Sequence, residues 1–188
     1  MKFVTTLGFI TCFLFTSQSA QALSLIDKLG EVEWKDGTKR FELNSVFGSN
    51  SGGKTRSGDL GLVATVEREF PLYKKLSVGL RAMPLYLYEE KHSDGHTIWG
   101  LGGGVSLRHY WKKSHKKWFS EVTETLVIHS EKFRGNSTKF NFMTEFGLGY
   151  QFENEWFVIG KWRHLSNASI GRKNSGVNGV GLGFGFRF

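Results

Sequence analysis

Hydrophobic and polar positions alternate along this chain with a period of two, in eight separate stretches. The last stretch is the plainest. Between Val177 and Phe188, Val180, Leu182, Phe184, Phe186 and Phe188 share one parity, and Gly179, Gly181, Gly183, Gly185 and Arg187 share the other. Side chains of a β-strand point alternately to its two faces, so one face here is aromatic and aliphatic while the other is almost bare backbone. The segment Phe140–Tyr150 repeats the pattern, with Phe140, Phe142, Phe146, Leu148 and Tyr150 against Asn141, Met143, Glu145, Gly147 and Gly149. In Trp99–Arg108, Trp99, Leu101, Val105 and Leu107 oppose Gly100, Gly102, Gly104, Ser106 and Arg108. The same reading predicts strands at Lys39–Phe47, Asp59–Glu69, from Leu76 onward, Trp118–Ile128 and Glu155–Ser166. In the third strand the parity slips near Pro84, where a bulge or bend is expected because proline cannot donate to a sheet ladder.

The face opposite the aromatics carries charge as well as glycine: Arg40, Glu42, Glu67, Arg81, Arg108, Glu145, Lys161 and Arg163. A soluble sandwich or lipocalin-like barrel would turn its apolar parity inward, and alternation alone does not exclude it. Charges set repeatedly against aromatics favour the inverse arrangement. The expected fold is all-β, an eight-stranded antiparallel transmembrane β-barrel of the bacterial outer membrane, apolar toward lipid and polar within. The inward charges then form an ion-pair network in a lumen filled by side chains, with no channel. Trp99, Trp111, Trp118 and Trp156 fall at strand ends, where interfacial aromatic belts form. The chain ends on Phe188, like the terminal Phe typical of bacterial outer-membrane proteins. With that end at the periplasmic rim, the connections Glu69–Lys75, Tyr110–Lys117 and Glu153–Asn154 are periplasmic and mostly short. The connections Gly48–Gly58, Glu89–His96, His129–Thr138 and Asn167–Gly176 are then external and longer, the usual asymmetry.

Residues 1–22 read as a secretory signal: Lys2, an apolar run from Phe3 to Phe15, then small residues ending at Ala20-Gln21-Ala22. The apolar run is too short for a spanning helix, which needs roughly 20 residues. Residues 23–188 are expected to form a single barrel domain. The single cysteine, Cys12, leaves with the signal, so neither disulfide nor thiol chemistry is expected. The formal charge of +8 would ordinarily suggest nucleic acid. Export argues against nucleic acid and for anionic lipid head groups or lipopolysaccharide phosphates. The 24 glycines, 2 prolines and 17 phenylalanines suit a barrel better than a helical domain.

Chemistry is sought on the seventh strand. Trp156, Val158, Gly160, Trp162, His164 and Ser166 share the lipid-facing parity there. Positions i and i+2 lie roughly 7 Å apart at the α-carbons and point the same way, so an imidazole can bridge to the serine hydroxyl and activate it. Unpaired polar groups in hydrocarbon cost several kcal/mol, so the pair brings no structural benefit, although a belt histidine beside a rim serine costs less. His-x-Ser by itself is a weak pattern.

The longer string His164-Leu165-Ser166-Asn167-Ala168, followed by Asn174-Ser175-Gly176, resembles the PagL-type outer-membrane lipid A 3-O-deacylases over about residues 163–178. The rest of the chain agrees only in length, signal and strand pattern. The resemblance implies Ser166 as nucleophile, His164 as base, and Asn167 with the Ala168 backbone as oxyanion hole. It implies hydrolysis of the ester-linked 3-hydroxyacyl chain at the glucosamine 3-position of lipid A, without metal or other cofactor, at a site facing the outer leaflet. One position departs from the family, which places a glutamate where this chain has Asn178. Asn178 shares parity with Val180 and Leu182, so it is expected beside His164. Its amide oxygen can hold the histidine tautomer but cannot stabilise imidazolium by charge.

Arg172 and Lys173, just above the pair, are candidate contacts for lipid A phosphates. The partners expected are lipid A or lipopolysaccharide as substrate and outer-membrane lipids, with a homodimer left open. The cluster of His92, His96, Glu89, Glu90 and Asp94 reads as a solvated loop rather than a metal site. The lysines Lys112, Lys113, Lys116 and Lys117 read as a solvated turn. Two rival functions are a non-catalytic barrel and an outer-leaflet lipid A acyltransferase.

Overall fold

The computed structural model describes residues 37–51, 53–92, 96–111 and 117–188. The signal reading, Cys12 and most of the lysine turn fall outside these residues. The strands are β1 (Thr38–Ser49), β2 (Leu60–Tyr73), β3 (Leu76–Glu90), β4 (His96–Tyr110), β5 (Lys117–His129), β6 (Phe140–Gln151), β7 (Trp156–Ser166) and β8 (Val177–Arg187). Each pairs antiparallel with the next, and β8 closes on β1 with Phe41 opposite Phe186 and Phe47 opposite Val180. Closure satisfies the backbone of every strand, which is the condition for crossing a bilayer without a helix.

The alternation behaves as the pattern predicts: the aromatic and aliphatic parity is exposed on the outer wall and the glycine and charged parity is buried. The slip near Pro84 is a true irregularity. The register against β4 breaks between Met83 and Tyr86, and the outward side changes from Ala82 to Leu85 and Leu87. Most boundaries move by three residues or fewer, and one moves further. β2 runs past Glu69 to Tyr73, leaving only Lys74 and Lys75 in the turn. Pro71 suggests an early stop, but it sits on the exposed side while Phe70 and Leu72 stay buried and carry the strand onward.

The lumen is filled in three zones. Near the short turns, Tyr110, Phe119, Phe157 and Ile159 form an apolar plug. In the middle, Arg40, Arg81, Arg108, Lys161 and Arg163 meet Glu42, Glu67, Glu69, Glu121 and Glu145. The Lys161 Nζ lies 2.7 Å from Glu42 and 2.9 Å from Glu121, Arg163 lies 2.9 Å from Glu145, and Arg108 lies 2.9 Å from both Glu67 and Glu69. The matched charges make the interior neutral, which is what allows so many ions to be buried together. Toward the long loops a second apolar cluster includes Tyr86, Tyr88, Phe133, Met143 and Leu165.

The long loops are tied to one another above that cluster. Arg56 donates to Glu90 Oε1 (2.7 Å) and to the carbonyl of Arg134 (2.7 Å). The Arg134 amide donates back to Glu90 (3.1 Å). These bonds join the β1–β2 and β5–β6 loops to the end of β3, giving the neighbouring β7–β8 loop a fixed surface to rest on.

Candidate active site

The register of β7 on β8 sets His164 directly opposite Asn178 on the outer wall. Asn178 Oδ1 lies 2.6 Å from His164 Nδ1. An amide oxygen only accepts, so Nδ1 carries the proton and donates, leaving Nε2 as the basic nitrogen. Ser166 follows two residues later on the same face, half-buried, with Phe142 of β6 opposite it. Among the described residues no hydrogen bond joins His164 to Ser166; such contacts often tighten only when substrate is bound. Trp162 stacks beneath the imidazole, ring centroids 6.2 Å apart and planes 10° from parallel.

Gly176 completes the histidine's cradle. A Cβ at this position would lie 2.7 Å from His164 Cε1 and 3.4 Å from Nδ1. Any larger residue there would push the ring out of line with Asn178, which accounts physically for the glycine that ends Asn174-Ser175-Gly176.

After Ser166 the chain bends sharply. Ala168 has φ 49° and Ser169 φ 63°, two successive non-glycine residues in the left-handed region, each costing on the order of 1 kcal/mol. What holds them there is Asn167, whose side chain is wholly buried. Its Nδ2 donates to Asn136 Oδ1 (2.9 Å) and to the carbonyl of Lys173 (2.9 Å), while its Oδ1 accepts from the Ser169 amide (3.0 Å). The Asn167 backbone amide donates to Asn174 Oδ1 (3.0 Å). The loop is further stitched to the β5–β6 loop through Ser175 N to Gly135 O (2.9 Å) and Ser137 N to Lys173 O (3.0 Å).

His164, Ser166 and Asn178 thus share one patch of outer wall, with Asn167 and Ala168 at its edge. Arg172 and Lys173 are exposed at the tip of the same loop. Asn136 and Asn141, bonded to each other at 2.7 Å, belong to the loop's support and escaped the sequence reading, because Asn136 meets Asn167 across 31 residues of chain. Glu124 and Thr144 also escaped it, although the parity of Val122, Leu126 and Ile128 already implied that Glu124 faces outward. The acidic and histidine loop holds no metal cluster among the described residues; its Glu90 is engaged by Arg56 and Arg134.

The family whose sequence model matches the chain is described as lipid A 3-O-deacylase (PagL), over residues 56–187. Among solved structures, the outer-membrane enzyme PagL superposes with a TM-score of 0.64 at 14% identity, covering 78% of this chain and 98% of that one. Neisserial surface protein A superposes with a TM-score of 0.53 at 11% identity, covering 80% of this chain and 97% of that one. No curated protein matches the sequence.

Proposed function

The chain belongs to the PagL family of lipid A 3-O-deacylases, and on that premise we propose that it is a serine esterase of the bacterial outer membrane acting on lipid A in the outer leaflet. Ser166 is the nucleophile, His164 the general base, and Asn178 the residue that holds the histidine tautomer. The observation that carries this reading is the 2.6 Å bond from His164 Nδ1–H to Asn178 Oδ1, since it leaves Nε2 as the basic nitrogen for the Ser166 proton.

The reaction follows from those positions. Ser166 Oγ attacks the carbonyl of the ester at the glucosamine 3-position while His164 Nε2 takes the hydroxyl proton. The oxyanion forms next to the Ala168 amide, aimed by the strained turn that Asn167 locks; both amide hydrogens of the Asn167 side chain are committed within the loop. Asn167 therefore serves the oxyanion hole by placing Ala168. Collapse of the intermediate expels the sugar 3-hydroxyl, which receives the proton from His164. Water, deprotonated in turn by His164, attacks the acyl-serine and releases a 3-hydroxy fatty acid. The chain's own groups account for every proton in this scheme.

A site on the outer wall, open to the bilayer rather than to the lumen, suits a substrate whose acyl chains are already in the membrane. Arg172 and Lys173 on the exposed loop tip suit its phosphates, through charge-assisted hydrogen bonds. The test is mass spectrometry of lipid A from cells producing the protein, Ser166→Ala or His164→Ala. The parent should remove one 3-hydroxyacyl chain and release it as free acid, and both variants should leave lipid A intact while still inserting as heat-modifiable barrels. Added mass on lipid A would mean acyl transfer instead, and full activity in either variant would remove that residue from the mechanism.

A further inference from the structure

Glutamates face outward from the described strands at two places. Glu89 stands at the long-loop end of β3, a residue from the strand's end. Glu124 is different: Leu126 and Ile128, both lipid-facing, separate it from the long-loop end of β5. A carboxylate within a lipid-facing wall adds no packing and is costly there, which makes it a functional candidate by default.

Its position relative to His164 is specific. Glu124 is the direct cross-strand partner of Thr144, and Thr144 is the direct cross-strand partner of His164. All three side chains share the outward face and are half-buried. Thr144 Oγ1 donates to Glu124 Oε2 at 2.6 Å, which draws the carboxylate over β6 toward the histidine instead of away toward β4. Neighbouring strands are about 4.8 Å apart, so a carboxylate held above the Thr144 column lies roughly 5–7 Å from the imidazole.

Among the described residues, the other groups that meet the ring from its own and the adjoining strands carry no charge, and the cations Arg172 and Lys173 are exposed at the tip of the adjoining loop. From β6 the ring meets Thr144 flanked by Phe142 and Phe146. From β8 it meets Asn178 and Val180, from the adjoining loop Gly176, and along β7 Trp162 and Ser166. Asn178 fixes the tautomer on one side of the ring. The counter-charge is on the other.

We infer that Glu124, pinned by Thr144, supplies the negative charge that stabilises the His164 imidazolium formed when Ser166 attacks. Glu124 touches neither substrate nor reacting atoms, so it is a positioning residue that acts through His164. Tautomer control and charge compensation, usually joined in one carboxylate, are here divided between Asn178 and Glu124. The inference rests on the esterase reading above.

Glu124→Gln keeps the size of the side chain and an oxygen to accept from Thr144, and removes only the charge. Glu124→Gln should therefore lower kcat on purified lipid A about tenfold with KM unchanged, because the charge acts on the transition state and not on substrate binding. Thr144→Val, which frees the carboxylate without removing it, should give a smaller loss and carries the test if the glutamine variant fails to insert. Adding Asn178→Asp to Glu124→Gln should restore the rate, since a carboxylate then faces the ring from β8. A parent that releases no 3-hydroxyacyl chain would sink the esterase reading itself. An active parent with a dead Ser166→Ala control, but a Glu124→Gln variant unchanged in kcat, would overturn only the role of Glu124. Failure of Asn178→Asp to rescue would overturn it too.

Discussion

Replacing Asn178 with Asp isolates one quantity, the value of a negative charge in hydrogen-bond contact with His164, the proposed general base. The side chain already sits with Oδ1 2.6 Å from His164 Nδ1, and Asp reproduces its shape atom for atom. The charge centres of the carboxylate and imidazolium would be about 4 Å apart, worth about 4 kcal/mol at an effective dielectric constant near 20. Part of that is offset, because the same carboxylate loses hydration at a half-buried site. Amide-for-carboxylate exchange in a hydrolytic triad can cost about 10⁴ in turnover when it imposes the wrong tautomer. Here the amide oxygen already faces the ring and Glu124 supplies a charge from farther off, so only the gain from bringing a charge into direct contact is left to recover. A net gain of about 1.4 kcal/mol, or about tenfold in kcat, is expected in the parent background. The assay is release of 3-hydroxy fatty acid from purified lipid A at neutral pH, with heat-modifiability on gels to establish a folded barrel. A folded Asn178→Asp protein no faster than the parent would refute the reasoning, showing that imidazolium stabilisation does not limit the rate.

Gly176→Ala should lower kcat at least tenfold with little change in barrel stability, because its Cβ would come within 2.7 Å of His164 Cε1 and displace the ring; unchanged kinetics would show that the cradle yields. Replacing Arg172 and Lys173 together with Gln should raise apparent KM for lipid A at low ionic strength, and the difference should shrink as salt screens it; equal KM values would place the phosphates elsewhere. Lys161→Met should destabilise the barrel by about 3–5 kcal/mol in urea unfolding from lipid vesicles, since it strips the ammonium held between Glu42, Glu121 and Glu145 from a charge-matched interior. Retained stability would mean that protons or water replace it.

The fold was almost wholly legible in the linear pattern, and for a physical reason. A barrel wall only two-sided in its chemistry must alternate residue by residue, so each strand, its lipid-facing parity and even the slip at Pro84 are written locally. His164, Ser166 and Asn178 could be placed on one face by the same parity. What parity cannot supply is register, because a slip of two residues conserves every face while changing every partner. Parity put Asn178 on the face of His164, but the β7–β8 pairing set it directly opposite, and only the folded loop shows the chain turning through Ala168 and Ser169 in left-handed conformations. The partners that hold this turn, Asn136 and the carbonyl of Lys173, come from loops joined only in the folded barrel. Glu124 is the sharpest case. Its outward parity was present in the sequence, yet its nearness to His164 spans two strand pairings, from β5 to β6 and from β6 to β7. Forty residues of chain separate the two, and nothing local records that the sheet brings them side by side.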